Sequence, residues 1–478
     1  MFARPLPLAA ALLAATALVP SVRAAGGAEG PSRRPNVLLI YADDQGSRDL
    51  GRLGAPDLQT PHLDRLAAGG LTLTGMTAPA PVCSASRVGL LTGRFPARCG
   101  VYGNSPLPGP ETTLAEVFAD AGYRTGHVGK WHLGDDAARD PAGQGFDDWF
   151  GHLGGCVDNY SHFFYWNGPN RHDLWDNGRE VFRPGEFLPD LMVDRCRQFL
   201  DGGTAAAPAA APGAASGAAP SDGGGEADRP WLLYWAFNSP HYPYQGTPEW
   251  REKYRDLPVA RREYCAFLST MDEAIGRVLD HLEQTGQLDD TIVIFQPDHG
   301  HSTETRAFSG GGFAGPFRGA KFSLFEGGLR VPAIVRYPAR LPAGETRDQF
   351  LSGCDWLPTL CELCDVAPPA GTTLDGVSAV SALAENAPLD RPPFYWRMGG
   401  GEDHQWAVRD GDWKLIGNPV DTTAPQGERE NGGRLGVPLF LANLAEDPGE
   451  TTNRVADRPE IAARLQAEQD RITAGFGD

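Results

Sequence analysis

One cysteine lies in a run of small residues whose types suit a reactive side chain. Cys83 comes two residues after Pro81. The apolar run 88–91 predicts a short helix that ends at Gly93. Arg87 comes one helical turn after Cys83, so both side chains can face one cavity. A lone cysteine at a helix start is more often a packing residue than a site. The case for chemistry therefore depends on the other polar clusters of the chain.

Two apolar runs, each typical of a buried strand, end in acidic or imidazole side chains. These side chains are Asp43, Asp44, Asp298 and His299. If the two strands are neighbours, three carboxylates converge with no lysine adjacent in sequence, and their repulsion calls for a cation. Oxygen-rich ligation favours Ca²⁺, with Mg²⁺ as the alternative, and His299 adds a nitrogen ligand. The residues thus predict a divalent metal site.

Cations and further histidines form a third group. Lys130 and His132 lie two residues apart, so on an extended segment their side chains would point the same way. Lysine suits an anionic group, and histidine can exchange a proton near neutral pH. His241 follows a rigid Ser-Pro turn, and Lys321 precedes a Glu-Gly-Gly run. Together with the metal and the cysteine, these side chains suit a small oxyanion.

Strands and helices alternate along the chain that must position these groups. A third strand run, 230–237, shares the pattern of the first two, and helical spacing marks 113–121, 188–200 and 261–284. The alternation predicts an α/β fold with a parallel or mixed sheet covered on both faces. In such sheets the loops beyond the carboxyl ends of the strands form the site. The polar clusters described above also come directly after the ends of predicted strands.

Composition divides the 478 residues into segments. Residues 1–24 predict a secretory signal peptide, with an apolar stretch too short to span a bilayer. Residues 202–228 are almost wholly Gly, Ala, Pro and Ser and predict a flexible surface insert. We expect the catalytic domain at 33–375 and a smaller α+β subdomain at 376–478.

The C-terminal segment has its own pattern. Its spacing predicts a hairpin at 405–416 with a turn at Asp410 and Gly411, a strand at 439–441 and a final helix at 459–472. These short elements are typical of a small α+β unit.

Charge and cysteine usage exclude several classes. A net charge of −19 argues against nucleic acid or an acidic membrane surface as a partner. The eight cysteines are too sparse for a disulfide scaffold in a chain of this length. Cys361 and Cys364 form a C-x-x-C inside the helical pattern 356–366, without a second pair at zinc spacing. We interpret them as packing residues.

Taken in order, these motifs resemble formylglycine-dependent (type I) sulfatases of the alkaline-phosphatase-like superfamily, over about residues 35–453. The resemblance rests on Asp43-Asp44, the run 83–94, the segments 129–134, 238–241 and 298–300, Lys321 with 326–328, the segment 408–415 and the segment 447–450. It implies a large mixed, mostly parallel sheet between helices, with a smaller C-terminal α+β subdomain. It also implies hydrolysis of sulfate esters.

The resemblance implies that a maturase oxidises Cys83 to formylglycine. In the implied mechanism, one hydroxyl of the hydrated aldehyde would attack sulfur and displace the alcohol, and the metal would supply the activation of that hydroxyl. The second hydroxyl would then lose a proton, so that the aldehyde re-forms and sulfate leaves. The implied metal ligands are Asp43, Asp44, Cys83, Asp298 and His299.

Roles for the remaining residues also follow from the resemblance. Arg87 and Lys130 would hold the formylglycine and neutralise sulfate oxygens, and His132 would take the proton that triggers sulfate release. Lys321 and His241 would contact the sulfate and the bridging oxygen. His241 would protonate the leaving alcohol.

Two positions depart from the family pattern. Ala85 stands where proline is more frequent, which bears on the maturase that accepts the motif, and His299 stands where many members have asparagine. We expect an exported enzyme, periplasmic or secreted, that acts on carbohydrate sulfates of the polysaccharide or glycosaminoglycan type. The alternatives are a phosphonate or phosphate-ester hydrolase of the same superfamily, or a non-catalytic sulfated-glycan binder in which Cys83 stays a thiol.

Overall fold

A computed structural model describes most of the chain. The described residues are Met1, 34–165, 168–203, 229–424 and 433–476. The predicted signal peptide beyond Met1 and residues 204–228 of the predicted insert lie outside them. Within these ranges, no helix combines the length and apolar character needed to cross a membrane.

The strands of the described residues form one sheet of ten strands, one of four strands and two of two strands. The strands are β1 Asn36–Ala42, β2 Leu71–Leu73, β3 Met76–Thr77, β4 Arg124–Lys130, β5 Asp148–His152, β6 Phe163–Phe164, β7 Arg171–His172, β8 Trp175–Asp176, β9 Arg179–Glu180, β10 Trp231–Ala236, β11 Thr291–Pro297, β12 Ala333–Arg336, β13 Glu345–Arg347, β14 Leu351–Ser352, β15 Phe394–Met398, β16 Gln405–Asp410, β17 Trp413–Gly417 and β18 Leu439–Asn443. The large sheet has the order β13-β2-β12-β11-β1-β10-β4-β5-β8-β9. Its central strands β11, β1, β10, β4 and β5 are parallel, whereas β12 is antiparallel to both neighbours. The predicted mixed, mostly parallel sheet is confirmed.

Helices cover both faces of this sheet. They are α1 Pro61–Ala68, α2 Cys83–Thr92, α3 Leu114–Asp120, α4 Leu188–Leu200, α5 Pro248–Lys253, α6 Val259–Gln284, α7 Glu326–Leu329, α8 Trp356–Leu363, α9 Val380–Glu385 and α10 Pro459–Ala474. Along β1, Val37 and Leu39 pack into the core beneath α2, α3 and α8, whereas Leu38 and Ile40 pack into the core beneath α1, α4 and α6. Burial of both faces explains why the strand is apolar throughout rather than alternating.

Most predicted elements form close to their expected bounds. The runs 37–41, 230–237 and 291–295 form β1, β10 and β11, and the three helical runs form α3, α4 and α6. Helix α3 begins where Thr113 accepts the N–H of Glu116 at 3.2 Å while the Glu116 carboxylate accepts the N–H of Thr113 at 2.7 Å. This reciprocal cap stabilises the start of the helix.

The cysteines form no disulfide. All eight are buried and free, which agrees with the sparse spacing in the sequence. Cys361 lies in α8 and Cys364 is the residue that caps its end. Both therefore pack in the core, as the C-x-x-C interpretation predicts.

A four-stranded antiparallel sheet, in the order β15-β16-β17-β18, forms the predicted C-terminal α+β region together with α10. The predicted hairpin is β16 and β17, but its turn is shifted by one residue. Asp410 pairs with Trp413, so the loop residues are Gly411 and Asp412. Gly411 has a φ of 59°, which favours glycine at the first loop position. The boundary at residue 375 stays a prediction.

Candidate active site

Four parallel strand ends bring the predicted site residues together. Asp43 and Asp44 follow β1, Asp298 and His299 follow β11, and Lys130 is the last residue of β4. Because β11, β1, β10 and β4 are neighbours, their carboxyl ends meet at one edge of the sheet. The remaining predicted residues reach the same edge, and they are Cys83, Arg87, His132, His241 and Lys321. Nine of the ten are buried, and His132 is partly exposed at the cavity wall.

Cys83 is the first residue of α2. The extended backbone of Val82, with φ −155°, leads into the helix, and Gly93 ends it with φ 66°. The Cys83 thiol lies 3.4 Å from Asp43 Oδ1 and 3.2 Å from His299 Nε2. Burial, reinforced by the Asp43 carboxylate, raises the pKa of this thiol to about 11. An unmodified Cys83 is therefore a poor nucleophile at neutral pH.

Each buried carboxylate of the site faces a cation that is distant in sequence. The pairs are Lys130 Nζ to Asp43 Oδ2 at 2.5 Å, Lys321 Nζ to Asp44 Oδ1 at 2.9 Å and Arg87 Nη2 to Asp298 Oδ2 at 3.1 Å. No lysine is adjacent to these carboxylates in sequence, and the fold supplies the compensating cations from distant segments. Burial alone would raise the pKa of Asp43, but the adjacent ammonium of Lys130 holds it well below its ordinary value.

Four side chains converge in a geometry that could hold a metal ion. One potential ligand atom from each of Asp43, Asp44, Cys83 and His299 lies within 4.8 Å of the others. The Nδ1 atom of His299 lies 2.9 Å from the Gly300 carbonyl oxygen, so Nδ1 donates there and Nε2 presents its lone pair to the cluster. Each of these carboxylates already pairs with a cation, so repulsion among them is not an argument for a metal ion. The support for a metal site is instead that the four potential ligand atoms converge. Two carboxylates and an imidazole fit a divalent cation.

Asp298 stands beside this group of four. Its Oδ1 atom lies 3.5 Å from His299 Nε2 and accepts the N–H of Asp44 at 3.1 Å. Asp44 has a φ of 62°, so the backbone that makes this contact is in a left-handed conformation. Burial raises the pKa of Asp298 well above its ordinary value, and the nearby carboxylate of Asp43 adds to the shift.

The segment of Lys130 and His132 is not extended as the sequence suggested. Strand β4 ends at Lys130, and His132 adopts a φ of 62°. The turn sends the Lys130 ammonium to Asp43 and leaves the His132 ring on the cavity wall. Burial, with the adjacent Lys130 charge, lowers the pKa of His132 well below its ordinary value. A neutral imidazole is the form that can accept a proton.

His241 comes after the end of β10, and its ring faces Asp44. Its Nε2 atom lies 3.6 Å from Asp44 Oδ2, and its Nδ1 atom lies 2.6 Å from the carbonyl oxygen of Tyr242. Burial lowers the pKa of His241 to about 4. The ring is therefore neutral at neutral pH and must gain a proton before it can act as an acid.

A cavity of about 610 Å³ opens above these groups. Its wall includes Glu304, which the sequence did not single out and whose carboxylate lies 3.6 Å from Lys321 Nζ. Tyr234 was also missed; its hydroxyl accepts from Arg87 at 3.3 Å. Tyr234 lay hidden in the apolar run of β10, and Glu304 lies in a loop without a recognisable pattern.

Comparison with known proteins agrees with this geometry. A family model described as Sulfatase matches residues 35–366. N-acetylgalactosamine-6-sulfatase of Canis lupus familiaris is 33% identical over 469 residues, with 89% of this chain and 82% of that protein covered. Arylsulfatase A of Homo sapiens is 34% identical over 460 residues, with 91% and 87% covered. The crystal structure of Ps i-CgsB in complex with k-i-k-neocarrahexaose has the same fold, with a TM-score of 0.78, 24% identity and 93% and 94% coverage.

Proposed function

This chain belongs to the sulfatase family and is a sulfuric ester hydrolase, and we propose that its substrates are sulfate esters of carbohydrates. The observation that carries the proposal is the cluster of Cys83, Asp43, Asp44 and His299 at the base of a cavity. A relative named for a sugar sulfate, and a structural neighbour in complex with a neocarrahexaose, support a carbohydrate substrate.

We propose formylglycine at Cys83 and a divalent cation, Ca²⁺ before Mg²⁺, as the groups that supply the nucleophilic hydroxyl and its activation. The residues proposed to hold the cation are Asp43, Asp44, Asp298 and His299, with the modified Cys83. The raised pKa of the Cys83 thiol supports this requirement, because the unmodified side chain is not ionised at neutral pH.

The buried cations would bind the sulfate group. Arg87 and Lys130 are rigid, since both are fully buried and paired, and they would neutralise charge on the sulfate oxygens without reorganisation. Lys321 would contact the sulfate from the opposite side, through its position beside Asp44. His132 would accept the proton whose removal releases sulfate, and His241 would donate one to the leaving alcohol after gaining it.

The comparisons favour a sulfate ester over a phosphate monoester as the substrate. The family model and the curated relatives that match this chain are sulfatases. We therefore rank the phosphate or phosphonate hydrolase below the sulfatase.

Maturation and export complete the proposal. A maturase that accepts alanine at position 85 would convert Cys83, and the segment 1–24 would direct the chain to the periplasm or the medium. In the fold, Ala85 is fully buried in the first turn of α2, so the motif is open to a maturase only on the unfolded chain.

Mass spectrometry of the peptide containing Cys83, from protein isolated after export, tests this function. We expect an aldehyde in place of the thiol, together with turnover of carbohydrate sulfates exceeding that of matched phosphate esters. Cys83→Ala should abolish turnover and keep the fold, whereas Cys361→Ala, a change at another buried cysteine, should keep both. An intact thiol with ligand retention but no turnover would instead identify a sulfated-glycan binder.

A further inference from the structure

Hairpin β6–β7 forms one wall of the cavity, above the sulfate-binding cluster. Phe164 and Arg171 are directly opposite each other in this hairpin, and both line the cavity. The Arg171 guanidinium lies over the Phe164 ring, 5.5 Å from its centre. This contact places the guanidinium against the ring and favours one position of an otherwise exposed side chain.

Arg171 differs from the cations deeper in the site. Arg87, Lys130 and Lys321 each pair with a carboxylate, whereas Arg171 forms no ion pair within the part of the chain that the structure describes. The nearby carboxylate of Asp173 accepts the N–H groups of Leu153 and Gly154 and the indole N–H of Trp175, and it forms no ion pair with Arg171 within 4.0 Å. The Arg171 charge is thus available to a ligand.

The positions of two glycines give an upper limit to the distance between Arg171 and the His132 ring. A methyl group at Gly154 would lie 3.1 Å from Arg171 Nη2, and one at the next residue, Gly155, would lie 2.8 Å from His132 Nε2. Because neighbouring Cα atoms are about 3.8 Å apart, the guanidinium lies within about 13 Å of the His132 ring. A substituent of the sulfated sugar, or of the neighbouring sugar, can therefore reach Arg171 while the sulfate group lies near His132.

We propose that Arg171, stacked on Phe164, binds a second anionic group of the saccharide and so determines specificity. The inference rests on the proposed carbohydrate substrate. A planar guanidinium binds a carboxylate or a sulfate through paired N–H donors, and the apolar face of a sugar packs against an aromatic ring. The second group is either a carboxylate or a further sulfate, and the test distinguishes the two.

The test measures saccharide binding by calorimetry to the full-length chain carrying Cys83→Ala, so that no ligand is consumed. The probes are N-acetylgalactosamine 6-sulfate, its 4,6-disulfate and its disaccharide with glucuronic acid. We expect at least one of the dianionic probes to bind about tenfold more tightly than the monosulfate. The tighter probe identifies the second group as sulfate or carboxylate.

Arg171→Gln should remove this gain and leave monosulfate binding unchanged, and Arg171→Lys should retain part of it. Arg183→Gln, which removes an exposed charge of the same segment outside the cavity, should retain all of it. Equal binding of all three probes, or an unchanged gain in Arg171→Gln, would overturn the inference while the carbohydrate substrate stands. Binding of none of them would overturn the inference together with the carbohydrate proposal.

Discussion

The ring of His132 lies directly against the backbone of Gly155. A methyl group at Gly155 would meet both Nε2 and Cε1 of His132 at 2.8 Å, closer than side chains normally approach. The absence of a side chain at Gly155 therefore leaves the space that the imidazole occupies on the cavity wall.

Gly155→Ala should displace the His132 ring and lower kcat about 10- to 100-fold, because a small misplacement of a proton-transfer group strongly slows the reaction. KM should change little, since the added methyl group meets His132 and not the cations that we propose to bind sulfate. Gly400→Ala is the matched control, because a methyl group there meets no atom within 4 Å. Steady-state kinetics of the two variants checks this; equal rates for both would show that the contact is not functional.

Asp44→Asn should weaken binding of the divalent cation. Asp44 contributes one of the four converging ligand atoms and also pairs with Lys321. Treatment with EDTA should lower the Tm of the wild-type chain, since a ligand bound to the folded state stabilises it, and Ca²⁺ or Mg²⁺ should restore it. The variant should show a smaller shift. An equal metal content by elemental analysis, before and after the substitution, would contradict the assignment.

The large sheet and its polar strand ends could be predicted from sequence because both are local patterns. Val37 to Tyr41 is apolar on both faces, and the polar run begins at once with Asp43. Strand β12 could not be predicted in the same way. It is short, and its antiparallel pairing with β11 and β2 depends on residues far away in the chain.

The sequence indicated which residues would meet at this edge of the sheet, whereas it did not indicate which of them would pair with each other. Asp43 and Lys130 are 87 residues apart, and their 2.5 Å contact depends on two strands lying on either side of β10. The left-handed backbone at His132 likewise has no signal in the sequence, since it follows from the end of β4 and the approach of Gly155.

Lys414→Met should strongly destabilise the fold. The Lys414 ammonium, on β17, lies 2.9 Å from Glu326 and 3.0 Å from Glu450, and all three side chains are fully buried. Without the lysine, two carboxylates remain buried without this cation, and breaking such a cluster costs about 3–5 kcal/mol of unfolding free energy. Lys253→Met, at an exposed lysine, should cost less than about 1 kcal/mol. Denaturant unfolding of both variants measures the difference, and similar midpoints would refute a stabilising role.

Glu450→Gln should change how stability depends on pH. Burial, together with the carboxylate of Glu326, raises the pKa of Glu450 from its ordinary 4.5 to about 7, although Lys414 opposes the shift. Between these two values the folded chain binds more protons at this position than the unfolded chain. The contribution of Glu450 to the free energy of unfolding therefore falls as the pH rises from about 4.5 to about 7.

Glutamine resembles the protonated carboxyl and does not titrate. Glu450→Gln should therefore match the wild type near pH 4 and exceed its stability near pH 8 by about 1–3 kcal/mol. The neighbouring Glu446→Gln, an exposed carboxylate, should leave the pH profile unchanged. Thermal unfolding across this pH range checks the prediction. A difference between Glu450→Gln and wild type that shrinks as the pH rises would mean that Glu450 is ionised in the fold, with Lys414 outweighing its burial.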